Sequence, residues 1–477
     1  KVYNIRVMVV GQYGVGKTTL TRRLLGQNVN ISERQSTEGI DVHVECSKVS
    51  LATGHWTTQE KDAEQYSRLQ RLVKLLNERV QNQNLKGEQE RQSEIDDLVT
   101  SEKHDNGHLQ HDAHISAKRD INQEVKPPPS QPIESPIVGP EASSGIESKE
   151  NEKDTVMEIL QLVNENSGKL ETSMVEYALL ALWDFAGQYV FYTTHQTFLT
   201  SRAIYLLVID LSQQITDLIK DDECFLDTEG IKLCKVHDLI EIWLNSIHSC
   251  EPSSKPGLPP VILVGTHVDK IPENCRHRVI DEYFMKIREI LCNKPILLHL
   301  MDDIAVDNTK DEPRLEELKQ RIFELAQQQP HWGEEKPARW LPLEQAIMTL
   351  KASGVKVAPL SLIEEINRSG SVCIEDRDEL DLFLRFQHEM GTILYFSVEG
   401  LRDKILLDPQ WLIDAQKSLI TAEAFIKKIP AIFGKWHDFK GSGKLTHELI
   451  DAIWSKEKNP EFHDNKDHII LLMEKLN

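Results

Sequence analysis

Cysteine is scarce in this chain, and its spacing builds nothing. The seven residues, at positions 46, 224, 234, 250, 275, 292 and 373, form no C-x-x-C pair and are odd in number. That usage fits reduced thiols in a cytoplasmic protein rather than a disulfide framework. Long apolar runs are also missing: Tyr177–Trp183 and Ala203–Ile209 are the longest, far short of the ~18 residues that cross a bilayer. No membrane span is expected. Basic residues are outnumbered, 55 Lys plus Arg against 76 Asp plus Glu, for a net charge of −21. Binding driven by phosphate-backbone charge is disfavoured at that balance, so a nucleic acid is not the expected partner. Apolar residues make up only 40% and aromatics 6%, so part of the chain is expected to stay outside any packed core. At 477 residues the chain should hold two or three domains. It opens on Lys1, so a fragment is expected, and terminal targeting or lipidation signals are not legible.

Ile5, Val7 and Val9 alternate and lead straight into a glycine loop and then Thr18–Leu25, which reads as buried strand, tight loop and helix. Ile40, Val42, Val44 and Cys46 recur with period two, as a half-buried strand would. Ala178–Trp183, Ala203–Ile209 and Val261–Val264 are near-continuous apolar runs, suited to strands covered on both faces. Helical patterns follow, such as Val236, Leu239, Ile240, Trp243, Leu244 and Ile247. Alternating strands and helices predict an α/β fold with a mostly parallel sheet and helices on both faces.

Between residues 51 and 173 the composition turns to Gln, Glu, Asn, Ser, Lys and His, with Pro127, Pro128, Pro129 and Pro132 heading a Pro/Ser/Glu stretch. This is expected to be a mostly disordered insertion. Two marginal helical patterns lie inside it, at Leu69–Val80 and Val156–Val163. After Pro337 a smaller α+β domain is expected over 338–477. Its helices are placed at Leu343–Ala352, Leu360–Ile366, Leu380–Met390, Trp411–Leu419, Thr446–Trp454 and His468–Leu476. Its two short strands are placed at Thr392–Phe396 and Lys404–Leu407. The chain has no internal repeat of solenoid period.

Gly11-Gln12-Tyr13-Gly14-Val15-Gly16-Lys17-Thr18 fits G-x-x-x-x-G-K-[ST] in full, between a strand and a helix. Gly11, Gly14 and Gly16 let backbone N–H groups, with those of Val15 and Thr19, face a phosphate at a helix N-terminus. Lys17 offers a cation to the outer phosphates, and Thr18 a hydroxyl to Mg²⁺. Asp184-Phe185-Ala186-Gly187-Gln188 follows a buried strand. There Asp184 can hold Mg²⁺ through water, the Gly187 N–H can meet a terminal phosphate, and Gln188 can orient an attacking water. The plain alternative for Asp184 is a helix cap. Thr266-His267-Val268-Asp269 ends another buried strand, where open α/β sheets bind ligands. One carboxylate there accepts both the ring N–H and the exocyclic amine of guanine, which selects GTP over ATP. The plain alternative for Asp269 is a turn residue.

These segments resemble the Roco proteins, whose Ras-like GTPase domain, Roc, is followed by a COR domain. The resemblance rests on Gly11–Thr18, Ser36–Asp41, Asp184–Gln188, Thr266–Asp269 and Val306-Asp307-Asn308, and downstream on His388–Phe396 and Leu406–Leu412. It implies a discontinuous P-loop GTPase domain at 1–50 and 174–332, and the N-terminal half of a winged-helix-like COR domain at 338–477. It implies GTP and GDP with Mg²⁺ as cofactors, Thr37 closing on the metal and terminal phosphate, and Asp307 and Asn308 closing on the base. Slow intrinsic hydrolysis by Gln188, Lys17 and Thr37 follows, with a role in cytoplasmic signal transduction. It further implies GTPase-activating or effector partners, and a homodimer through COR in the full-length protein, this fragment being monomeric. Small GTPases usually read N-K-x-D where this chain has Thr266 and His267, and His cannot copy the long Lys stem that packs on the base. Thr37 and Asp184 are 147 residues apart, far more than a hairpin needs, so the insertion is expected to emerge right after the switch segment.

Other signals carry less. His104, His108, His111 and His114 with Asp105 and Asp112 could supply metal donors, and Pro129 and Pro132 give a Pro-x-x-Pro, but both sit in the linker-like stretch. Gly441-Ser442-Gly443-Lys444 lacks the first Gly and last Ser/Thr of a phosphate loop and reads as a turn before a helix. No arginine finger is identifiable, although Arg22, Arg34 and Arg202 are candidates. An ATP-binding switch and a nucleotide-holding scaffold without turnover are the alternative functions.

Overall fold

A computed structural model of the chain describes residues 1–29, 39–58, 177–187, 195–219, 235–250, 257–310, 313–370, 372–420, 430–455 and 460–476. All of these fall in one of the two compact units into which the chain divides, Lys1–Ala63 with Ile159–Asn477. The insertion's two helical patterns, its His cluster and its Pro-x-x-Pro lie outside the described residues, as do Arg34, Thr37 and Gln188.

Seven strands form one sheet: β1 (Asn4–Gly11), β2 (Ile40–Ser50), β3 (Trp56–Thr58), β4 (Tyr177–Phe185), β5 (Ile204–Asp210), β6 (Val261–Thr266) and β7 (Leu300–Ala305). Their order is β3-β2-β4-β1-β5-β6-β7. β4, β1, β5, β6 and β7 run parallel, and β2 pairs antiparallel with both neighbours. The continuous apolar runs are the interior strands, and every residue of β5 and β6 is buried, as two covered faces require. Alternation along β1 sorts its side chains. Ile5, Val7 and Val9 pack with α1 (Lys17–Leu24) and α4 (Pro313–Gln327), while Met8 and Val10 pack with α2 (Val236–His248) and α3 (Arg276–Leu291).

The C-terminal region shares the second of these cores through Leu394, Leu406, Trp411, Leu412, Trp454 and Leu472. It comprises α5 (Leu341–Ala352), β8 (Val357–Pro359), α6 (Leu360–Ser369), α7 (Arg377–Met390), β9 (Lys404–Leu406) and α8 (Pro409–Ile420). After these come α9 (Pro430–Ser442), α10 (His447–Ile453), α11 (Pro460–Asp464) and α12 (Lys466–Leu476). Two expectations need correction here. The expected strand Thr392–Phe396 does not form, only its Leu394 bridging Leu406, and β9 pairs instead with β8. Three residues ending in Pro359 show too little period for a strand to be read. The helix α9 was not anticipated either, because Gly434 and Gly441 break its pattern. The expected turn at Gly441–Lys444 is corrected with it: Gly441 and Ser442 close α9, and only Gly443, at φ 68°, and Lys444 lie in the link to α10, which Thr446 caps.

The seam between sheet and C-terminal region is built around a buried cation. Arg6 of β1 lies 4.3 Å from the Trp183 ring and donates to the carbonyls of Phe198 (3.3 Å) and Glu389 (3.4 Å). Burial draws its pKa down to about 10. Gly391, at φ 74°, ends α7 against it, and a Cβ there would stand 2.9 Å from the guanidinium carbon. Arg202 adds exposed-side ion pairs at 2.7 Å to both Glu334 and Glu389.

β2 also has a divided outer edge. Its lower part pairs with β3, whereas the Val42 N–H is met by Gln410 Oε1 of α8 at 3.0 Å. The β2–β4 register runs from Ile40↔Phe185 to Ser50↔Tyr177. The described chain therefore reaches Thr58 at the level of Leu180, roughly 13 Å along the strands from Asp184, and resumes at Tyr177, roughly 23 Å from it. The expected exit beside the switch segment is wrong. An eleven-residue strand intervenes, because Ile40–Ser50 runs the full height of the sheet.

Candidate nucleotide site

The phosphate loop owes its shape to three glycines in conformations that other residues resist: Gly11 at φ 139°, Gly14 at 78° and Gly16 at 89°. Gly11 also passes so close to β5 that a Cβ would meet the Val208 carbonyl oxygen at 2.3 Å. Gly16 caps α1, whose first residues are Lys17 and Thr18, with half-buried Thr19 behind them. Their N–H groups thus point into the loop at the positive end of the helix. The Lys17 ammonium is buried and donates to the Gln12 carbonyl at 2.7 Å, spanning the mouth of the loop.

β4 brings Asp184 beside this loop, in register with Val9 of β1. Asp184 is fully buried, and the Thr18 hydroxyl donates to its Oδ2 at 2.6 Å. Two hard oxygen donors within hydrogen-bond distance of each other fit a small divalent cation such as Mg²⁺, which takes one or two protein oxygens and fills its shell with water and phosphate. Among the described residues no group of three His, Cys, Asp or Glu could hold a metal without such help. Gly187 lies against the phosphate loop itself: a Cβ there would stand 2.2 Å from the Tyr13 nitrogen.

The two loops expected to meet the base are both tied to the phosphate loop. The Thr266 hydroxyl, fully buried, lies 2.6 Å from the Val15 carbonyl and 3.0 Å from that of Ile209. Asn308 donates from Nδ2 to the Gly16 carbonyl at 3.2 Å. The Gly16 carbonyl takes this bond in addition to the Leu20 N–H of α1 at 2.9 Å. Between these ties Asp269 is exposed, and no described residue bonds its carboxylate. Asp307 behaves differently. Its Oδ1 accepts from Thr309 N (3.0 Å) and Oγ1 (2.5 Å), Oδ2 pairs with Lys310 at 3.1 Å, and its pKa is lowered. Burial opposes that lowering, and these bonds outweigh it. Its carboxylate shapes its own loop.

Two residues that sequence reasoning passed over belong to this neighbourhood. Asp210 ends β5 opposite Thr266 in register. It accepts from Ser212 N (2.8 Å) and Oγ (2.6 Å) and sits 3.3 Å from His267 Nδ1. Burial pushes its pKa up, yet the bonds from His267 and Ser212 prevail and hold it at about 2. His267 is the one non-glycine among the described residues with positive φ, 57°, a conformation costing about 1–3 kcal/mol. His195, buried between Phe185 and Trp243, lies against the Gly39 carbonyl, and burial draws its pKa down to about 3. A polar residue closing an apolar strand was the available signal for Asp210; nothing in the sequence marks His195.

Comparison with known proteins bears on this geometry. Residues 145–269 match the family described as "Ras of Complex, Roc, domain of DAPkinase", and residues 337–477 match "C-terminal of Roc, COR-A domain". The chain belongs to the Roco family. A further match, to an ethanolamine and propanediol utilisation family, covers 4–50. Among curated relatives, the probable serine/threonine-protein kinase pats1 of Dictyostelium discoideum is 28% identical over 62% of the chain, which covers 8% of it. The leucine-rich repeat serine/threonine-protein kinase 1 of Caenorhabditis elegans is 26% identical over 50%, and 10% of it is covered. The chain thus spans about a tenth of the length of these relatives. A solved structure of Methanosarcina barkeri Roco2 RocCORdC bound to GDP aligns over 99% of this chain and 91% of its own, with TM-score 0.50 and 16% identity, a likeness of fold. The Roc segment of this Roco chain is thus of the Ras-like GTPase class.

Proposed function

We propose that this Roco chain is a guanine-nucleotide switch that binds GTP and GDP with Mg²⁺, hydrolyses GTP slowly, and passes its nucleotide state to the COR region. The observation that carries the reading is the pinning of one phosphate loop by both base loops, through Thr266 and Asn308, with the Asp269 carboxylate left open between them. Asp269 reads guanine by accepting its two adjacent N–H donors. Lys17 and the loop N–H groups bind and screen the phosphates. Thr18 and Asp184, with Thr37, hold Mg²⁺, which when bound neutralises charge on the terminal phosphates. Gln188 orients the attacking water. Slow turnover is expected because Arg202 is engaged by Glu334 and Glu389, and Arg22 lies on the last turn of α1. Neither is placed to serve as an arginine finger, and Arg34 lies outside the described residues, so turnover stays slow unless a partner or second subunit supplies one.

The route to COR starts at Gly39, the described residue nearest Thr37. A Cβ on Gly39 would stand 3.3 Å from Ile413 Cγ2 of α8, and three residues on, Gln410 of the same helix holds Val42. The test is binding of fluorescent GDP and GTP analogues against ATP, for wild type and Asp269→Asn, with single-turnover hydrolysis for Gln188→Leu. Guanine preference lost in Asp269→Asn, and hydrolysis lost with binding kept in Gln188→Leu, support the switch. Equal competition by ATP moves the reading to an ATP-binding switch. Absence of hydrolysis in wild type moves it to a scaffold.

A further inference from the structure

We propose that Asp210 is a positioning residue of the nucleotide site, acting through His267: it holds the ring by Nδ1 so that the turn presenting Asp269 is set before nucleotide arrives. The proposal rests on the reading of Asp269 as the base reader. Asp210 and Thr266 are paired residues at the ends of β5 and β6, so the carboxylate stands beside the root of the base loop. Four groups converge on it: Ser212 through N and Oγ, Gln213 Nε2 at 3.4 Å, Lys270 at 3.9 Å, and His267 Nδ1 at 3.3 Å.

The bonds around His267 dictate its proton. Nδ1 faces Asp210 Oδ1 and, at 3.4 Å, Thr266 Oγ1. The single Thr266 proton is taken by the carbonyls of Val15 and Ile209, which can only accept. Both neighbours of Nδ1 are therefore acceptors, so Nδ1 must carry the hydrogen. That bond braces a residue whose backbone is left-handed at φ 57°, a conformation uncommon outside glycine that His and Asn adopt more readily than most. The next residues turn at once into a short helical turn, Val268–Lys270, that carries Asp269. A His in place of the usual Lys thus contributes through order in the loop, where Lys contributes through its stem.

Two substitutions separate this from a structural role. In Asn, Nδ2 lies as many bonds from Cα as Nδ1 does in His, and Asn tolerates positive φ. In Gln the amide lies one carbon farther out. The experiment measures affinity and release of fluorescent GDP on the whole chain, with thermal unfolding as the folding control. His267→Asn is expected within about twofold of wild type. His267→Gln is expected to weaken GDP about tenfold, or 1.4 kcal/mol. Asp210→Asn should weaken it about fivefold, and the double variant Asp210→Asn/His267→Gln should be no worse than His267→Gln alone. Preference for GDP over ATP should persist throughout. Nitrogen-15 spectra of the histidine-labelled, nucleotide-free chain should show His267 protonated on Nδ1, and a shift toward the Nε2–H form in Asp210→Asn. Wild-type affinity in His267→Gln, equal weakening by Asn and Gln, full additivity, or an Nε2–H ring in wild type would each overturn the proposal. Failure of Asp269→Asn to change base preference would instead overturn the reading of Asp269, and would leave the ring result unaltered.

Discussion

Arg6 invites a perturbation whose outcome runs against the intuition that a buried cation at a domain seam must be stabilising. Its pKa falls from 12.5 to about 10, which corresponds to about 3 kcal/mol lost in keeping the charge out of water. Against this stand the Trp183 ring at 4.3 Å, worth about 2 kcal/mol when desolvated. The two bonds to carbonyls, at 3.3 and 3.4 Å, are near the outer limit of geometry and contribute below about 1 kcal/mol each. The terms nearly cancel. Replacing Arg6 with Met keeps the apolar stem and removes the charge, so its stability should stay within about 1 kcal/mol of wild type. Arg6→Ala also empties the space under Gly391 and should cost about 2–4 kcal/mol. Urea unfolding of the whole chain, comparing midpoints at a common m-value, measures both. If Arg6→Met loses as much as Arg6→Ala, the guanidinium itself holds the seam and the balance above is wrong.

Thr266→Val removes the buried hydroxyl from between the Val15 and Ile209 carbonyls and should cost about 1–3 kcal/mol, with weaker GDP binding; unchanged affinity by titration would show that the phosphate loop does not depend on this tie. Acid should destabilise the fold. Burial holds His195 at about 3 and His331, His388 and His468 at about 4, against 6.5 in the unfolded chain. Their contribution is full above pH 6.5 and is lost as pH falls toward 4, because the unfolded chain takes up the protons first. Each adds up to about 1.4 kcal/mol per pH unit to the slope of unfolding free energy, so a flat profile between pH 7 and 4.5 would refute their burial. Gly39→Ala places a Cβ 3.3 Å from Ile413 at φ 83° and should cost about 1–2 kcal/mol, with faster hydrogen exchange in α8; unaltered exchange there would sever the proposed route to COR.

Much of this architecture could be read from period and motif. Continuous Val/Ile/Leu runs announced β5 and β6 because each is covered on both faces, whereas β4 is so covered only from Leu182 on and leaves Leu179 exposed, and the phosphate loop declared itself through residues whose spacing is local. What escaped was non-local or short. Asp210 meets His267 only because β5 and β6 are neighbours in register, and His195 meets Gly39 across a far longer stretch of chain. Val357–Pro359 is too brief to show alternation. The path of the insertion was misjudged for a different reason: spacing along the chain counts residues, and the antiparallel β2–β4 register converts that count into a place at the other end of the sheet.

That last feature makes the region between Thr58 and Tyr177 a splice port. Tyr177 stands on the floor of the sheet, paired with Ser50 of β2, and Thr58 lies across β2 at the level of Leu180, below Asp184. A foreign domain with closely spaced termini, such as a fluorescent reporter, could be grafted there without lengthening any segment that touches phosphate or base.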